Sequence, residues 1–330
     1  MNYKRAQEIV GKFDGMRVVV VGDVMLDEYI WGQVNRVSPE APVIVVDAER
    51  QSHVPGGAAN VVNNLCSLGA VGAIVGTVGD DSAGNALVKS LEAEGADTRG
   101  LIATSSRPTT RKTRIIAHSQ QVVRVDHEKR AAIEDAVVRQ MLRSLASLIE
   151  DADAVLLSDY QKGVLTPIVV AACVDAASSR GCVITGNLKP AALAGRAPLD
   201  VITMNAHEAS ISVGGKALLA QEDFDEAGKV LLARTGCKHL LITRGGHGLT
   251  LYSASSNASQ HVPAQRVEVY DTAGAGDTVV STLTLALAAG ATAIEAVHIA
   301  NHGAAEVVKK LGVATVSADE LLSSFSDQPK

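Results

Sequence analysis

The sequence predicts a three-layer α/β/α fold with a mainly parallel sheet and a small additional β-sheet, and three observations carry this prediction. Residues 17–21 read Arg-Val-Val-Val-Val, an apolar run typical of a strand buried on both faces. Similar runs then alternate with Ala-rich helical patterns as far as about 293–310, as expected for parallel strands joined by helices. Two early β-like segments and a hairpin pattern at 113–125 interrupt this alternation.

The interrupting segments predict a lid over one end of the main sheet. We assign residues 1–330 to a single domain, with a small β-sheet lid formed by about 26–50 and 107–127 inserted in it. Two independent domains are the alternative. The sequence contains no internal repeat and no Pro/Ser-rich linker to mark a boundary between them.

Composition and charge narrow the function classes. The apolar share of 47% supplies a large core, and the formal net charge of −6 argues against nucleic-acid binding. The N-terminus lacks the apolar core of a signal peptide, and the most apolar stretch, 279–289, is too short to cross a bilayer. We therefore expect a cytoplasmic protein without membrane contact. Its scattered cysteines are interpreted as reduced, buried thiols: Cys66, Cys173, Cys182 and Cys237.

The strongest chemical feature is a glycine-rich turn that leads into a late helix, Asp271-Thr272-Ala273-Gly274-Ala275-Gly276-Asp277-Thr278. Glycines before a helix let consecutive backbone N–H groups converge, and the helix dipole adds positive charge there. Such a site suits a transferring phosphoryl group, with Asp277 as a neighbouring general base. The alternative is an ordinary helix start that Asp277 merely caps. The motif lacks the third glycine of a dinucleotide fingerprint and the Gly-Lys-Ser/Thr of a Walker A loop.

This turn resembles the C-terminal signature of the ribokinase-like (PfkB) carbohydrate kinases. The segment Pro55–Asn60 is similar to the Gly-Gly signature near the N-terminus of the same family. The resemblance extends over essentially the whole chain and implies a ribokinase-like fold, ATP as phosphate donor and Mg²⁺ as cofactor. It also implies catalytic roles for Gly274, Ala275, Gly276 and Asp277. The sequence leaves a monovalent-cation requirement open.

Three further segments, 21–27, 36–42 and 157–163, are similar to the D-glycero-β-D-manno-heptose-7-phosphate kinases within this family. Those enzymes supply heptose for the lipopolysaccharide core, and some carry a following nucleotidyltransferase domain. Because this chain ends at Lys330, it resembles the stand-alone kinase. The expected reaction is phosphorylation of the anomeric hydroxyl of the heptose 7-phosphate.

On the sugar side, carboxylates after the first strand can accept hydrogen bonds from hydroxyls, and glycines permit close approach of the backbone. Basic residues on and beside the hairpin would hold the existing phosphate, although a charged strand edge that prevents aggregation is the alternative. The expected substrate-binding residues are Asp23, Asp27, Gly56, Gly57, Asn60, Arg107, Lys112, Arg114, Arg124, Asp159, Lys162, Asn187 and Lys189. Many relatives carry Asp-Pro-Lys where this chain has Asn187-Leu188-Lys189, which puts the geometry of that corner in question.

On the nucleotide side, the segment 205–208 matches an Asn-x-x-Glu motif in which Glu208 organises Mg²⁺ through water. The alternative is a solvated glutamate at a helix start. The turn 243–248 resembles the nucleotide loop of the family, or is a simple strand connection. The expected cofactor-binding residues are Asn205, Glu208, Thr243, Gly245, Gly248, Asn301 and His302. The i, i+4 pair of His298 and His302 lacks a third zinc ligand.

Three other interpretations remain open on sequence alone. The first is a kinase of this fold that acts on fructose, fructose 6-phosphate or a ribose derivative. The second is a catalytically silent sugar-binding regulator. The third is a nicotinamide-dependent oxidoreductase, which the missing dinucleotide fingerprint disfavours. Apolar surface on the lid predicts a homodimer formed through it.

Overall fold

The computed structural model describes residues 1–118, 120–189, 198–256 and 258–326. The strands in chain order are β1 (Arg17–Gly22), β2 (Val24–Val37), β3 (Ile44–Gly57), β4 (Val71–Gly79), β5 (Asp97–Thr104), β6 (Arg111–Ala117), β7 (Gln120–His127), β8 (Ala154–Ser158), β9 (Val183–Asn187), β10 (Val201–Asn205), β11 (His239–Thr243), β12 (Leu249–Ser253) and β13 (Gln260–Val262). The helices are α1 (Tyr3–Val10), α2 (Ala58–Ser67), α3 (Ser82–Ala93), α4 (Asp135–Leu148), α5 (Pro167–Arg180), α6 (Ala206–Ser212), α7 (Gln221–Thr235), α8 (Ala275–Ala288), α9 (Ala293–Val307) and α10 (Ala318–Ser323).

A nine-stranded sheet, called the large sheet below, has the order β13-β12-β11-β10-β9-β8-β1-β4-β5. Its strands pair in parallel except at β11–β12 and β12–β13. Along β1, Val18 and Val20 pack into one core and Val19 and Val21 into the other. Because successive side chains of a strand point to opposite faces, the large sheet is covered on both sides.

Different helices cover the two faces of the large sheet. One core contains the buried residues of α1, α2, α3, α8, α9 and α10, and the other contains those of α4, α5, α6 and α7. The predicted three-layer α/β/α fold is therefore confirmed. No helix of the described residues has both the length and the apolar content that crossing a membrane requires.

A second sheet, called the small sheet below, has the order β3-β2-β6-β7. Strand β2 leaves the large sheet directly after β1, and β3 returns to the start of α2. The two early β-like segments of the sequence are shorter than β2 and β3, the strands to which they belong. Register shifts at Trp31/Gly32 and Val34/Arg36 break the alternation of side chains, so the sequence pattern understates the length of β2.

Two helices begin at the junction of the sheets and position the site. Helix α2 follows Gly57, whose φ is +60°, and α8 follows Gly274, whose φ is +80°. A Cβ at Gly274 would lie 3.0 Å from Asn60 Nδ2 on α2. Glycine is needed there both for the left-handed backbone and for the close approach of the two helices.

Candidate active site

A buried carboxylate lies where α2, α8 and the loop after β8 meet. Asp277 is the third residue of α8 and is 5% exposed. Its Oδ2 accepts a hydrogen bond from Asn60 Nδ2 at 2.7 Å, and its Oδ1 accepts one from the Tyr160 hydroxyl at 2.5 Å. Burial raises the pKa of Asp277 to about 6, and the two hydrogen bonds oppose this rise. Such a carboxylate accepts a proton efficiently near neutral pH.

Backbone amides at the start of α8 lie beside this carboxylate. The Thr278 amide makes the first intrahelical hydrogen bond, to the Gly274 carbonyl at 3.0 Å. The amides of Gly276 and Asp277 therefore precede the helical ladder and are available to a ligand. The Ala275 amide contacts the carbonyl of Thr272 at 3.3 Å. The two amides that are free to face an anion are thus those of Gly276 and Asp277. The predicted pair, Ala275 and Gly276, lies one residue earlier in the chain.

A cleft of about 570 Å³ opens in front of these groups. Its lining includes the tips of four neighbouring strands and the first turn of α8: Tyr160, Asn187, Lys189, Thr203, Met204, Asn205, Glu208, Thr243, Gly274, Gly276, Asp277 and Val279. The carboxyl ends of parallel strands are where α/β sheets usually bind small molecules.

Asp23, at the end of β1, holds the loop 159–164. Its carboxylate accepts hydrogen bonds from the backbone amides of Tyr160 and Lys162, both at 2.9 Å, and of Val164 at 3.1 Å. Asp23 is 1% exposed. This corrects the predicted sugar contact, because the carboxylate is enclosed and already engaged with three amides.

Asn60 also has a different role from the predicted one. Its side chain is 1% exposed, its Nδ2 donates to Asp277, and its Oδ1 faces Asn64 Nδ2 at 3.3 Å. Both polar atoms are therefore used within the protein. Asn60 orients the carboxylate of Asp277 and does not present a free amide to a sugar.

Tyr160 is the site residue that sequence reasoning missed. It lies in the segment 157–163, which carries part of the family resemblance. In that segment, substrate-binding roles were predicted only for the charged residues. A tyrosine in a loop between two predicted site residues, Asp159 and Lys162, was the available signal. The structure places its hydroxyl directly on Asp277.

Asp27 and Gly56 face each other across the first residues of the small sheet. Asp27 is 6% exposed, and its Oδ1 accepts a hydrogen bond from Arg114 Nη1 at 2.5 Å. A Cβ at Gly56 would lie 2.1 Å from the other oxygen of Asp27. The glycine therefore leaves space for this carboxylate, which lies close enough to Asp277 to disfavour its ionised form.

The substitution Gly56→Ala is expected to raise the sugar KM by about tenfold, since it displaces Asp27 at a cost typical of overpacking. The nucleotide KM should stay within about twofold of the wild-type value, because the clash lies on the other side of the cleft. Steady-state kinetics with each substrate varied in turn measures both effects. Ser178→Ala, at an exposed position of α5, is the control. An unchanged sugar KM in Gly56→Ala would contradict the placement of the sugar.

Three cations gather where the small sheet meets the loop 159–164. Burial lowers the pKa of the Lys112 ammonium, with a smaller contribution from the charges of Lys162 and Arg124, while the carboxylates of Asp27 and Asp126 oppose this change. No described carboxylate lies within ion-pair distance of Lys112, whereas Lys162 pairs with Glu128 at 2.6 Å. An anion beside Lys112 would therefore gain a charge-assisted contact that the described residues do not supply.

Arg124 and Arg107, both predicted to bind the substrate phosphate, differ in what they contact. Arg124 is half-exposed on β7 and pairs with Asp126 at 2.8 Å. Arg107 Nη2 donates to three backbone carbonyls, those of Lys129, Ala131 and Lys162. This corrects the role of Arg107, which joins loops beneath the cation cluster.

Lys189 and Glu208 line the cleft, whereas Asp159 is not among its lining residues. Asp159 is 5% exposed and accepts hydrogen bonds from the backbone amides of Gln161 at 2.8 Å and Lys189 at 3.1 Å, so it holds backbone. Lys189 Nζ forms an ion pair with Glu208. Asn187 lines the cleft and is 9% exposed. Its backbone carbonyl accepts a hydrogen bond from the amide of Asp159.

The segment 205–208 forms a capping box at the start of α6. The Asn205 side chain accepts the Glu208 amide, and Glu208 Oε2 accepts the Asn205 amide, both at 2.9 Å. The described residues contain no group of three or more His, Cys, Asp or Glu side chains able to hold a metal. Glu208 lines the cleft, and it would be the residue to meet a hydrated Mg²⁺ that arrives with nucleotide phosphates.

A second, mainly apolar pocket of about 770 Å³ adjoins the cleft and shares Thr243, Gly276 and Val279 with it. Its wall includes Gly245 and Gly248 of the turn after β11. A Cβ at Gly248 would lie 2.2 Å from the Val262 carbonyl oxygen, so the turn requires glycine. The pocket suits the flat aromatic base of a nucleotide. The phosphates of that nucleotide would then extend towards α8.

The two predicted adenine-flanking residues of α9 lie in different surroundings. Asn301 lines the apolar pocket and donates to the Pro263 carbonyl at 2.9 Å. His302 is 2% exposed, stacks on Phe325 with ring centroids 3.6 Å apart and contacts the Ser324 hydroxyl at 2.9 Å. Burial lowers its pKa to about 4. The predicted cofactor contact of His302 is corrected, because its ring packs against the C-terminal segment.

Residues 16–320 match the family described as "pfkB family carbohydrate kinase". The chain belongs to this family and is a sugar kinase. Two solved structures share its fold at 18% sequence identity. A ribokinase of Arabidopsis thaliana complexed with ribose and ATP has a TM-score of 0.75, over 95% of this chain and 100% of that one. Phosphofructokinase-2 of Escherichia coli in complex with substrates and products has a TM-score of 0.76, over 94% and 98%.

Curated relatives at higher identity narrow this class. The chain is 40% identical over 326 residues to "Bifunctional protein HldE" of Pelobacter propionicus, covering 99% of this chain and 66% of that protein. Identity to the HldE protein of Desulfatibacillum aliphaticivorans is 41% over 320 residues, covering 97% and 65%. The chain thus spans about two thirds of the length of these relatives, and it is similar to the HldE proteins in that part.

Proposed function

We propose that the protein transfers the γ-phosphoryl group of ATP to the anomeric C1 hydroxyl of D-glycero-β-D-manno-heptose 7-phosphate. The product would be the 1,7-bisphosphate, in the cytoplasmic supply of ADP-heptose for lipopolysaccharide core synthesis. Likeness to HldE proteins and the segments 21–27, 36–42 and 157–163 support this substrate.

The observation that carries the proposal is that two regions of different chemistry lie near each other. In the cleft, Asp277 and the amides of α8 suit phosphoryl transfer to a hydroxyl. Outside the residues that line the cleft, Lys112 lies with Lys162 and Arg124 between the small sheet and the loop 159–164, and it is close to Asp27, which in turn is close to Asp277. A sugar that already carries a phosphate at the end remote from its reacting hydroxyl satisfies both.

The mechanism follows from the contacts of Asp277. Its carboxylate removes the proton of the C1 hydroxyl as the oxygen attacks the γ-phosphorus. One P–O bond forms to the sugar, the bond to the bridging oxygen of ADP breaks, and the proton remains on Asp277. The amides of Gly276 and Asp277 stabilise charge on the transferring group. Mg²⁺ bound with the nucleotide would neutralise charge on its phosphates. We also propose that the small sheet acts as a lid that excludes water.

The test is a substrate panel with purified protein and ATP. Formation of ADP and of a sugar bisphosphate is measured with heptose 7-phosphate, fructose 6-phosphate, fructose and ribose. We expect kcat/KM to be highest for heptose 7-phosphate, with Asp277→Asn as the inactive control. A higher kcat/KM with another sugar would identify that sugar as the substrate instead. No ADP with any sugar would favour a regulator, and NADH binding without ATP competition would favour an oxidoreductase.

The cation cluster gives a specific prediction for Lys112→Ala. The KM for the sugar phosphate should rise by about ten- to hundredfold, the size expected on loss of a charge-assisted contact, while kcat changes little. A second measurement compares KM for the same sugar without its phosphate, which should not respond. Lys229→Ala, an exposed lysine of α7, is the control. Equal KM values for wild type and Lys112→Ala would contradict a phosphate site here.

We further propose a homodimer formed through the small sheet. Several large apolar side chains of this sheet and its connecting loop are exposed: Val37, Val43, Ile44, Val122, Val123 and Val125. A second copy of the chain bound to the small sheet would cover these side chains. Light scattering on the purified protein would give twice the chain mass of 34.2 kDa for the dimer, and a single chain mass would contradict it.

A further inference from the structure

The base Asp277 is held by two donors of different origin. Asn60 reaches it from α2, and Tyr160 reaches it from the loop 159–164, at 2.7 Å and 2.5 Å. Each donor takes a different carboxylate oxygen. Because each oxygen has more than one lone pair, the carboxylate can still accept a proton from a substrate hydroxyl.

The loop that carries Tyr160 is built to keep it in this place. Gln161, directly after the tyrosine, has a φ of +57°, a left-handed conformation that non-glycine residues rarely adopt. Its amide is bound by Asp159 Oδ1 at 2.8 Å, while Asp23 binds the amide of Tyr160 itself. A strained backbone persists when its surroundings over-determine it, and such positions concentrate at functional sites.

We propose that Tyr160 is a positioning residue of the catalytic base, and that its hydroxyl keeps Asp277 ionised and correctly oriented at neutral pH. This inference rests on the proposed role of Asp277 as base. The phenol donates and the carboxylate accepts, so the hydrogen bond stabilises the charged form of Asp277 against the effect of burial. The alternative is a tyrosine ring that only fills space between the loop and α8.

Other charged groups lie near Asp277 and Tyr160 and affect the ionisation of each. Lys189, after β9, favours the ionised form of Asp277, and Asp27 on β2 disfavours it. Glu208 on α6 lies near enough to Tyr160 to oppose ionisation of the phenol, whose own pKa burial raises far above its usual value. Tyr160 therefore stays protonated and acts as a donor throughout the pH range of the assay.

The test is the pH profile of kcat/KM for Tyr160→Phe, which reports ionisations of the free enzyme. The wild-type acid limb should have its midpoint near the pKa of Asp277, about 6. Loss of the donor removes stabilisation of the carboxylate, so the pKa rises and the limb should move up by about one pH unit. At pH 6 the kcat/KM of the variant should be about fivefold below that of wild type, and at pH 8.5 within about twofold, with an unchanged sugar KM.

Recovery at high pH separates this role from a packing defect, which lowers kcat/KM at all pH values. Tyr252→Phe is the control, since Tyr252 is a buried tyrosine of β12 beside Asp225 and outside the cleft. Its profile should match wild type. A Tyr160→Phe limb at the wild-type position would overturn the inference.

A direct titration keeps the inference testable apart from catalysis. The ¹³C resonance of the Asp277 carboxyl is followed with pH in ligand-free protein, in wild type and in Tyr160→Phe. A midpoint raised by about one unit supports the hydrogen bond even if no sugar of the panel is phosphorylated. Should Tyr160→Phe fold poorly, 3-fluorotyrosine at position 160 provides the second variant. Its stronger donor should lower the midpoint, and an unmoved midpoint would overturn the inference.

Discussion

Replacing Asp277 by asparagine is expected to lower kcat by about a hundredfold or more, the usual size of a general-base contribution. Asparagine keeps the shape of the side chain but cannot take the proton of the C1 hydroxyl at neutral pH. The amides of Gly276 and Asp277 belong to the backbone and remain in place. Dissociation constants for ATP and sugar phosphate should therefore stay within about threefold of the wild-type values.

The measurement combines single-turnover kinetics with calorimetric binding of each ligand. Asp175→Asn, an exposed position on α5, serves as the matched control and should leave kcat unchanged. Near-normal turnover of Asp277→Asn would remove the carboxylate from its role as base. Loss of both turnover and ATP binding would show that the variant damages the anion site instead.

Replacing Asp23 by alanine is expected to lower the free energy of unfolding by about 3 kcal/mol or more. The substitution leaves three amides, those of Tyr160, Lys162 and Val164, without their acceptor in a buried site. Each unsatisfied buried donor costs about 1–3 kcal/mol, although relaxation of the loop recovers part of this. Since the loop carries Tyr160, kcat should fall as well.

Urea unfolding followed by circular dichroism measures the loss of stability, with Asp175→Ala as the exposed control. The account also expects hydrogen exchange to become faster at the three loop amides, and unchanged exchange in β11 at the far side of the cleft. If Asp23→Ala lost sugar affinity with full stability and unaltered loop exchange, Asp23 would be a sugar ligand, as the sequence alone indicated.

The fold class could be predicted from the sequence, and the glycine-rich turn could be singled out as a candidate site, because both depend on local patterns. Apolar strands alternate with helices, and the glycine-rich turn lies within a few residues of Asp277. A turn, a helix start and an acidic residue in the first helical turn can be recognised without knowledge of distant contacts. The long strands of the small sheet were less predictable because register shifts disturb their period.

The roles that sequence reasoning misassigned depend on partners far away in the chain. Asp23 and its amide partners are separated by more than 130 residues, and Asn60 and Asp277 by 217. Residue type alone cannot distinguish an aspartate that binds sugar from one that binds backbone. Glu208 caps α6 and also lines the cleft, so its capping role does not exclude the proposed contact with Mg²⁺.

A crystal structure with a non-hydrolysable ATP analogue and the sugar phosphate tests the central claim most directly. The account predicts the terminal phosphate at the amides of Gly276 and Asp277, the adenine in the apolar pocket, and the C1 hydroxyl within hydrogen-bond distance of the Asp277 carboxylate. A terminal phosphate bound away from the start of α8, or a sugar hydroxyl that does not reach Asp277, would contradict it.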